Sequence, residues 1–200
     1  MGFLDLIFPK KCLECGSYGR YICGNCVNRV RDGRWSRRIN FSIFKYEGVI
    51  KKAILALKYR FAYDIAEELS ELAKDRLIRR GFRIKAILAP IPLHRMRNNW
   101  RGFNQAAEVG RFLSKGMNWE FASNLLSKDV ATKPQVGLGS RQRMENLKGS
   151  FSVNPNIDIS KMGQIIVFDD VYTTGSTMGE AISVFKRKGF SCVFGLTVCG

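Results

Sequence analysis

The chain has 200 residues, 46% hydrophobic and 25% charged, an ordinary balance for a globular protein with a sizeable core. Its net charge of +16, from 33 basic and 17 acidic residues, predicts attraction to nucleic acid, phosphorylated ligands or anionic lipid, although a generally basic surface would give the same balance. No apolar run approaches the ~18 residues of a membrane-spanning helix, and the N-terminus does not match a signal peptide. We therefore expect a cytoplasmic protein without membrane insertion.

Four of the six cysteines form two C-x-x-C pairs near the N-terminus. They are Cys12, Cys15, Cys23 and Cys26. Paired knuckles of this kind let four thiolates surround one ion, which predicts a closed structural zinc site. Gly16 and Gly24 suit tight turns that need a positive φ. Buried thiol pairs or redox pairs are alternatives, but a redox pair does not need a second copy.

The segment that follows the cysteines, residues 28–38, reads NRVRDGRWSRR. Five arginines surround Trp35, and Asp32 is the one acid among them. Arginine beside an aromatic ring suits contacts with phosphates and stacked bases, whereas a solvated linker is the alternative for the backbone. We place the zinc-ribbon-like module and this basic linker at residues 1–38, and an α/β domain at residues 39–200.

Strand and helix patterns alternate along the second domain. Strands are predicted at residues 41–46, 85–92, 164–168 and 191–198, and helices at residues 48–58, 64–80, 104–115 and 177–188. Asp64 and Glu67 predict a capping box for the second helix. Residues 129–150 are polar and predict a loop, and Cys192 and Cys199 are expected in the core of the last strand. This order predicts a parallel sheet with right-handed crossovers.

Paired acids stand where the buried strand at residues 164–168 ends. Asp169 and Asp170 are followed by small hydroxyl and glycine residues and then by a helix. In open parallel sheets, ligands bind beyond the carboxyl ends of the strands, and a helix N-terminus favours an anion. A phosphate in the loop and a diol on the carboxylates describe a ribose 5-phosphate.

An ordinary strand–turn–helix connection is the alternative for this segment. Thr177 and Glu180 would then form a capping box at the start of the helix. That interpretation explains the hydroxyl groups but not the two acids. The segment is not a P-loop, because no G-x-x-x-x-G-K-[ST] pattern is present.

The motif VFDDVYTTGST, at residues 167–177, resembles the phosphoribosyl pyrophosphate loop of type I phosphoribosyltransferases. Further motifs narrow the resemblance to the ComF family of competence-associated proteins and follow the family order along nearly the whole chain. They are the paired cysteine knuckles, KY at residues 58–59, PIPLHRMRNNWRGFNQ at residues 90–105, QVGL at residues 135–138, and Arg143 with Asn146 before Phe151.

This resemblance implies a type I phosphoribosyltransferase-like sheet flanked by helices and a role for each matching position. Asp169 and Asp170 are expected to hold the ribose hydroxyls, with Mg²⁺ bridging ribose and pyrophosphate oxygens. The loop around the 5-phosphate is expected to comprise Val171, Tyr172, Thr173, Thr174, Gly175, Ser176 and Thr177. The pyrophosphate side is expected to comprise Leu93, His94, Arg95, Arg101, Asn104 and Gln105, although a structural role for His94 is an equal alternative.

The resemblance also places a catalytic hood at residues 129–146. Lys133 and Arg143 are the catalytic candidates of this hood, and Gln135 is a third candidate residue. The other family positions are Lys58, Tyr59 and Asn146. We do not identify a general base for an acceptor.

Two functions from different classes follow. The first is a phosphoribosyltransferase that displaces pyrophosphate from the anomeric carbon, with an unidentified acceptor. The second is a non-catalytic protein that binds single-stranded DNA during DNA uptake and natural transformation, with a competence helicase or other uptake proteins as partners. The basic charge favours the second function, and the acid pair with its phosphate loop favours the first.

Overall fold

A five-stranded parallel sheet forms the centre of the computed structural model, which describes residues 9–35, 40–57, 62–93, 103–128, 149–155 and 163–200. The described strands are β1 (Asn40–Phe44), β2 (Ala86–Pro90), β3 (Glu120–Phe121), β4 (Leu126–Lys128), β5 (Phe151–Val153), β6 (Gln164–Val171) and β7 (Val193–Cys199). The sheet order is β1-β7-β6-β2-β3, and every neighbouring pair in it is parallel. Strands β4 and β5 form a separate antiparallel pair. The predicted α/β class with a parallel sheet is confirmed.

Helices flank the sheet close to their predicted positions. The described helices are α1 (Gly24–Val27), α2 (Gly48–Ala56), α3 (Ala62–Arg79), α4 (Gln105–Met117) and α5 (Ser176–Arg187). Helix α3 begins before Asp64, so the predicted capping box is wrong, and the Asp64 carboxylate pairs with Lys10 at 3.0 Å. Helix α4 continues through Gly116 to Met117, and Asn118 caps it in a left-handed conformation. Among the described helices, none has both the length and the apolar surface needed to cross a bilayer.

The core lies on both faces of the sheet because the strands alternate their side chains. On β6, Ile166 and Phe168 pack on the face shared with α3 and α4, whereas Ile165 and Val167 pack on the face shared with α5. This burial on both faces explains the continuous apolar run at residues 165–168. The first cluster also includes buried residues of the cysteine segment, so that segment shares a core with the sheet.

Strand β6 is longer than the sequence pattern predicts. Its pairing with β7 continues beyond the apolar run and joins Asp169 to Thr197 and Val171 to Cys199. Periodicity missed this extension because two acids, Asp169 and Asp170, interrupt the apolar run before Val171, yet the backbone ladder continues through them. Cys199 is buried as predicted, but Cys192 is exposed because it precedes the first residue of β7.

Residues 31–35 lie antiparallel along the outer edge of β1. The Gly33 amide donates to the Ile43 carbonyl at 3.1 Å, and the Ser42 amide donates to the Arg34 carbonyl at 2.9 Å. The half-buried Trp35 ring packs against Phe41, with 5.3 Å between the ring centroids. The segment therefore covers a sheet edge, which a solvated linker would not do. The predicted domain boundary at residues 38 and 39 lies outside the described residues and stays a prediction.

Candidate functional site

The turn between β6 and α5 has a shape that only glycine permits. Gly175 precedes the first residue of α5 and has a φ of 77°. A Cβ atom at this position would overlap the Tyr172 hydroxyl. Both constraints select glycine, because glycine adopts this φ without steric strain and has no Cβ atom to overlap the tyrosine.

The start of α5 presents unused hydrogen-bond donors. No acceptor among the described residues takes the backbone N–H groups of residues 173–177, and no side chain caps the helix. The predicted alternative, a Thr177–Glu180 capping box, is therefore wrong. Glu180 instead accepts from the Gly149 amide at 3.1 Å and pairs with Arg187 at 3.0 Å. The helix dipole and the unused N–H groups together favour an anion.

The acid pair lies beside these donors. The Asp170 amide donates to the Asp169 carboxylate at 2.9 Å. Removal from water and then the neighbouring charge of Asp170 raise the pKa of the half-buried Asp169 well above its ordinary value, and the charge of Lys128 opposes them. A nearby cation or hydroxyl donors would therefore stabilise the ionised form of Asp169.

A shallow cleft that opens to solvent joins Asp169 to the turn. Its lining comprises Asp169, Val171, Tyr172, Thr173, Gly175, Thr177, Met178 and Thr197. The structure thus brings most of the predicted ribose 5-phosphate residues into one cleft. Asp170, Thr174 and Ser176 adjoin these residues in the chain, and the Thr174 and Ser176 hydroxyl oxygens lie 3.0 Å apart.

Two lining residues of the cleft, Met178 and Thr197, were not predicted, and neither was the influence of Lys128 on Asp169. Thr197 is 1% exposed, and its hydroxyl oxygen lies 2.8 Å from that of Ser42. A hydroxyl residue within the apolar run of β7 was the available signal for Thr197. Lys128 acts on Asp169 from β4, which is separate from the main sheet, and nothing in the local sequence indicates that approach.

The end of β2 meets the start of α4 at the same edge of the sheet. The Ile91 amide donates to the Phe168 carbonyl at 2.7 Å, and the Asn104 side-chain amide donates to the Ile91 carbonyl at 2.9 Å. Gln105 is 5% exposed, and its side-chain nitrogen has no partner among the described residues. Leu93 is half-buried. Three residues predicted on the pyrophosphate side thus lie near the end of β2, which pairs with β6. Leu93 follows β2, and Asn104 and Gln105 stand at the start of α4.

Nine predicted positions lie outside the described residues, and their roles stay predictions. They are Lys58, Tyr59, His94, Arg95, Arg101, Lys133, Gln135, Arg143 and Asn146. The predicted hood at residues 129–146 also lies outside the described residues.

The cysteine cluster has the composition and spacing of a zinc site. The sulfur atoms of Cys12, Cys15, Cys23 and Cys26 all lie within 4.8 Å of one another. A tetrahedral ion with Zn–S bonds of ~2.3 Å separates its ligands by about 3.8 Å, and the Cys15 and Cys23 sulfur atoms are 3.7 Å apart. The four thiols fit zinc, which would bind their thiolate forms and add folding stability rather than chemistry.

Local hydrogen bonds shape the two knuckles. The Gly16 amide closes the first turn on the Cys12 carbonyl at 2.9 Å, and Gly16 has the predicted positive φ of 76°. Gly24 does not need a positive φ, because it begins helix α1. The Ser17 hydroxyl, 3.1 Å from the Cys15 sulfur, lowers the pKa of Cys15 to about 6.

Helix α3 holds the second knuckle through Glu68. This carboxylate is 7% exposed and accepts from the backbone amides of Tyr21 at 3.2 Å and Ile22 at 2.9 Å. Two charge-assisted hydrogen bonds offset the cost of burying the carboxylate. The cysteine cluster is therefore fixed to the α/β core through a polar contact as well as through packing.

Comparison with known proteins gives relatives that match along most of the chain, although no family model matches. Competence protein F of Haemophilus influenzae is 28% identical over 189 residues, which are 91% of this chain and 80% of the relative. The DNA utilization protein YhgH of Escherichia coli K12 is 28% identical over 190 residues, with the same coverage. Competence protein ComFC of Bacillus subtilis is 25% identical over 84% of this chain and 67% of the relative. These relatives confirm the resemblance carried by the motifs and support the assignment of the chain to the ComF family.

Proposed function

We propose that the chain binds phosphoribosyl pyrophosphate with Mg²⁺ in the cleft between β6 and α5. One observation carries this proposal: unused backbone donors at residues 173–177 lie beside the paired acids at the end of a buried strand. An anion on the donors and hydroxyl groups on the acids would satisfy both sets of groups. The relatives are named competence and DNA utilization proteins, and we propose a role in DNA uptake or utilization for this chain.

Each part of the ligand would meet a different part of the cleft. The 5-phosphate would accept from the N–H groups at the start of α5, where the helix dipole favours negative charge. The ribose hydroxyls would donate to Asp169 and Asp170. The same carboxylates are the described groups that would hold Mg²⁺ or its waters, and the raised pKa of Asp169 fits a site that gains from a cation. Mg²⁺ would supply charge neutralisation on the pyrophosphate.

Transfer of the phosphoribosyl group is the reaction that such a complex supports. The bond between the anomeric carbon and pyrophosphate breaks with its electron pair leaving on the pyrophosphate, and an acceptor forms the new bond. Positive charge develops on the sugar during this step. The two carboxylates would stabilise that charge through their fixed position on β6. The acceptor is unidentified, and Lys133 and Arg143 remain the proposed catalytic residues of the hood.

Binding of single-stranded DNA without catalysis is the second candidate function. The net charge of +16 and the names of the relatives favour it. The half-buried Trp35 ring contacts Phe41, and the Arg80 guanidinium lies 4.9 Å from the ring centroid, so these groups cover part of the surface on which a base would stack. DNA binding would therefore depend mainly on exposed arginine and lysine side chains, and its affinity would fall steeply with salt.

Calorimetric titration tests the two functions against each other. The purified chain is titrated with phosphoribosyl pyrophosphate and Mg²⁺, with ribose 5-phosphate, and with a single-stranded oligonucleotide at two salt concentrations. We expect saturable binding of both sugar phosphates. The double variant Asp169→Asn with Asp170→Asn should lose binding by roughly 10- to 100-fold for each charged hydrogen bond removed while remaining folded. Unchanged binding by this variant would refute the site, and binding of the oligonucleotide alone would favour the second function.

A further inference from the structure

The side chain of Asn104 joins the start of α4 to Ile91, the residue that follows β2. Its Oδ1 atom accepts from the backbone amides of Ala106 at 3.0 Å and Ala107 at 3.4 Å, so it caps helix α4. Its Nδ2 atom donates to the Ile91 carbonyl at 2.9 Å, just beyond the end of β2. Asn104 therefore uses both ends of its amide within the protein.

The contact with Ile91 continues to the acid pair. The Ile91 amide donates to the Phe168 carbonyl at 2.7 Å, and Phe168 directly precedes Asp169 on β6. The hydrogen bonds run from the start of α4 through Ile91 to β6. They fix the exit of β2 and the start of α4 relative to the carboxylates.

We infer that Asn104 is a positioning residue that sets the end of β2 and the start of α4 for the pyrophosphate part of the ligand. The inference rests on the proposed function and gives a supporting role to Asn104, which the sequence analysis placed on the pyrophosphate side without a specific role. The 5-phosphate donors at residues 173–177 follow β6 in the chain and share no hydrogen bond with Asn104 or Ile91. Loss of the Ile91 contact should therefore weaken binding of phosphoribosyl pyrophosphate and spare that of ribose 5-phosphate.

Two substitutions separate capping from positioning. Asn104→Ser and Asn104→Asp both keep a good N-cap acceptor, and both lose the amide donor to Ile91. One is neutral and the other charged, so a shared effect cannot come from added negative charge. Asn118→Ala provides a matched control, because it disturbs the left-handed residue at the other end of α4 without contact to Ile91.

The experiment measures melting temperature and calorimetric affinity for phosphoribosyl pyrophosphate with Mg²⁺ and for ribose 5-phosphate in the full chain. For both Asn104 variants we expect a loss on the order of tenfold or more for the pyrophosphate ligand. Ribose 5-phosphate affinity should stay within about twofold, because its donors do not involve Asn104. Asn118→Ala should lower the melting temperature and leave the ratio of the two affinities unchanged.

Other outcomes distinguish two failures. An unchanged affinity ratio in both Asn104 variants, with wild-type binding of both ligands, would overturn the positioning role alone. A changed ratio in Asn118→Ala would also overturn it, because general loosening of α4 would then suffice. Absence of binding of either ligand to the wild-type chain would overturn the proposed function and this inference with it.

Discussion

The cysteine cluster and the cleft between β6 and α5 are built on opposite principles. In the cluster, four thiols within 4.8 Å of one another provide a complete ligand set, and Glu68 satisfies nearby backbone amides. In the cleft, backbone donors at residues 173–177 have no acceptor among the described residues. The paired acids beside them also repel each other. The cluster needs only an ion to be complete, whereas the cleft leaves several groups unsatisfied until a larger ligand binds.

This difference separates a stabilising site from a functional one. A closed four-sulfur site adds its binding energy to folding. A prebuilt anion site keeps strained or repelling groups, and the surrounding packing offsets their cost. Changes in the cluster should therefore affect stability first, and changes in the cleft should affect binding first. The following predictions test that separation.

Metal removal should produce the largest loss of stability. Chelation, or the substitution Cys26→Ser, removes an interaction that contributes about 10–16 kcal/mol to folding in zinc-finger peptides. The cluster shares a core with the sheet, so we expect the melting temperature of the whole chain to fall by ~10 °C or more. Calorimetry with and without chelator measures this fall. Native mass spectrometry that finds no bound zinc in the untreated protein would contradict the assignment.

Gly175→Ala should abolish sugar-phosphate binding. Alanine at a φ of 77° is strained, and its Cβ would overlap the Tyr172 hydroxyl, so the turn must move. We expect a loss of stability of about 1–3 kcal/mol and a loss of affinity on the order of 100-fold. Chemical denaturation and titration with ribose 5-phosphate measure the two effects.

Gly179→Ala is the matched control on the same helix. A Cβ at Gly179 meets no atom within 4 Å, and its φ lies outside the left-handed region. Alanine should stabilise helix α5 by roughly 0.5–1 kcal/mol and leave binding intact. Equal loss of binding in both variants would show that the turn is not the binding element.

Glu68→Gln should weaken the attachment of the cysteine cluster to helix α3. Glutamine keeps one acceptor for the Tyr21 and Ile22 amides but turns an N–H group towards the other. We expect a loss of about 1–3 kcal/mol by urea denaturation, because a buried amide loses its partner. Glu71→Gln alters a neighbouring exposed pair with Arg20 and should change stability by less than ~1 kcal/mol. Equal effects would mean that burial of Glu68 does not matter.

The sequence predicted the parallel sheet and those lining residues of the cleft that lie on one continuous segment. The run at residues 164–168, the acids and the small residues after them form a strand, a turn and a helix start within a short distance. Local patterns and the family motif are sufficient there. The two cysteine knuckles were equally predictable, because each needs only a short spacing between its ligands.

Contacts between segments that are distant in the chain could not be predicted from local sequence patterns. Three interactions join parts of the chain that no sequence periodicity relates. The charge of Lys128 acts on Asp169, and Glu68 accepts hydrogen bonds from the amides of residues 21–22. Residues 31–35 pair with the outer edge of β1. The wrong capping boxes have a related cause. Helix α3 begins at Ala62, ahead of the predicted cap, and the positive φ of Gly175 precedes the first residue of α5.

The pH dependence of stability offers the finest test of the comparison. Burial and then the charge of Asp170 raise the pKa of Asp169, so the folded state holds its proton more tightly than the unfolded state does. The contribution of Asp169 to stability is therefore fully present below the unfolded pKa of about 3.9 and is lost as pH rises through the raised folded value. Asp169→Asn should show a flatter dependence of stability on pH over this range. At the upper end of the pH range, the variant should be more stable than the wild-type chain. Urea midpoints measured from acidic to neutral pH give both profiles.

Asp75→Asn, which removes an exposed carboxylate of α3, controls for the general effect of lost negative charge. Added Mg²⁺ with ribose 5-phosphate should restore stability to the wild-type chain at neutral pH, because both ligands favour ionised Asp169. The same addition should have a smaller effect on Asp169→Asn. A parallel pH profile for wild type and Asp169→Asn would mean that the acid pair carries no cost. The cleft would then hold its charges without cost before any ligand arrives, and the contrast with the cysteine cluster would fail.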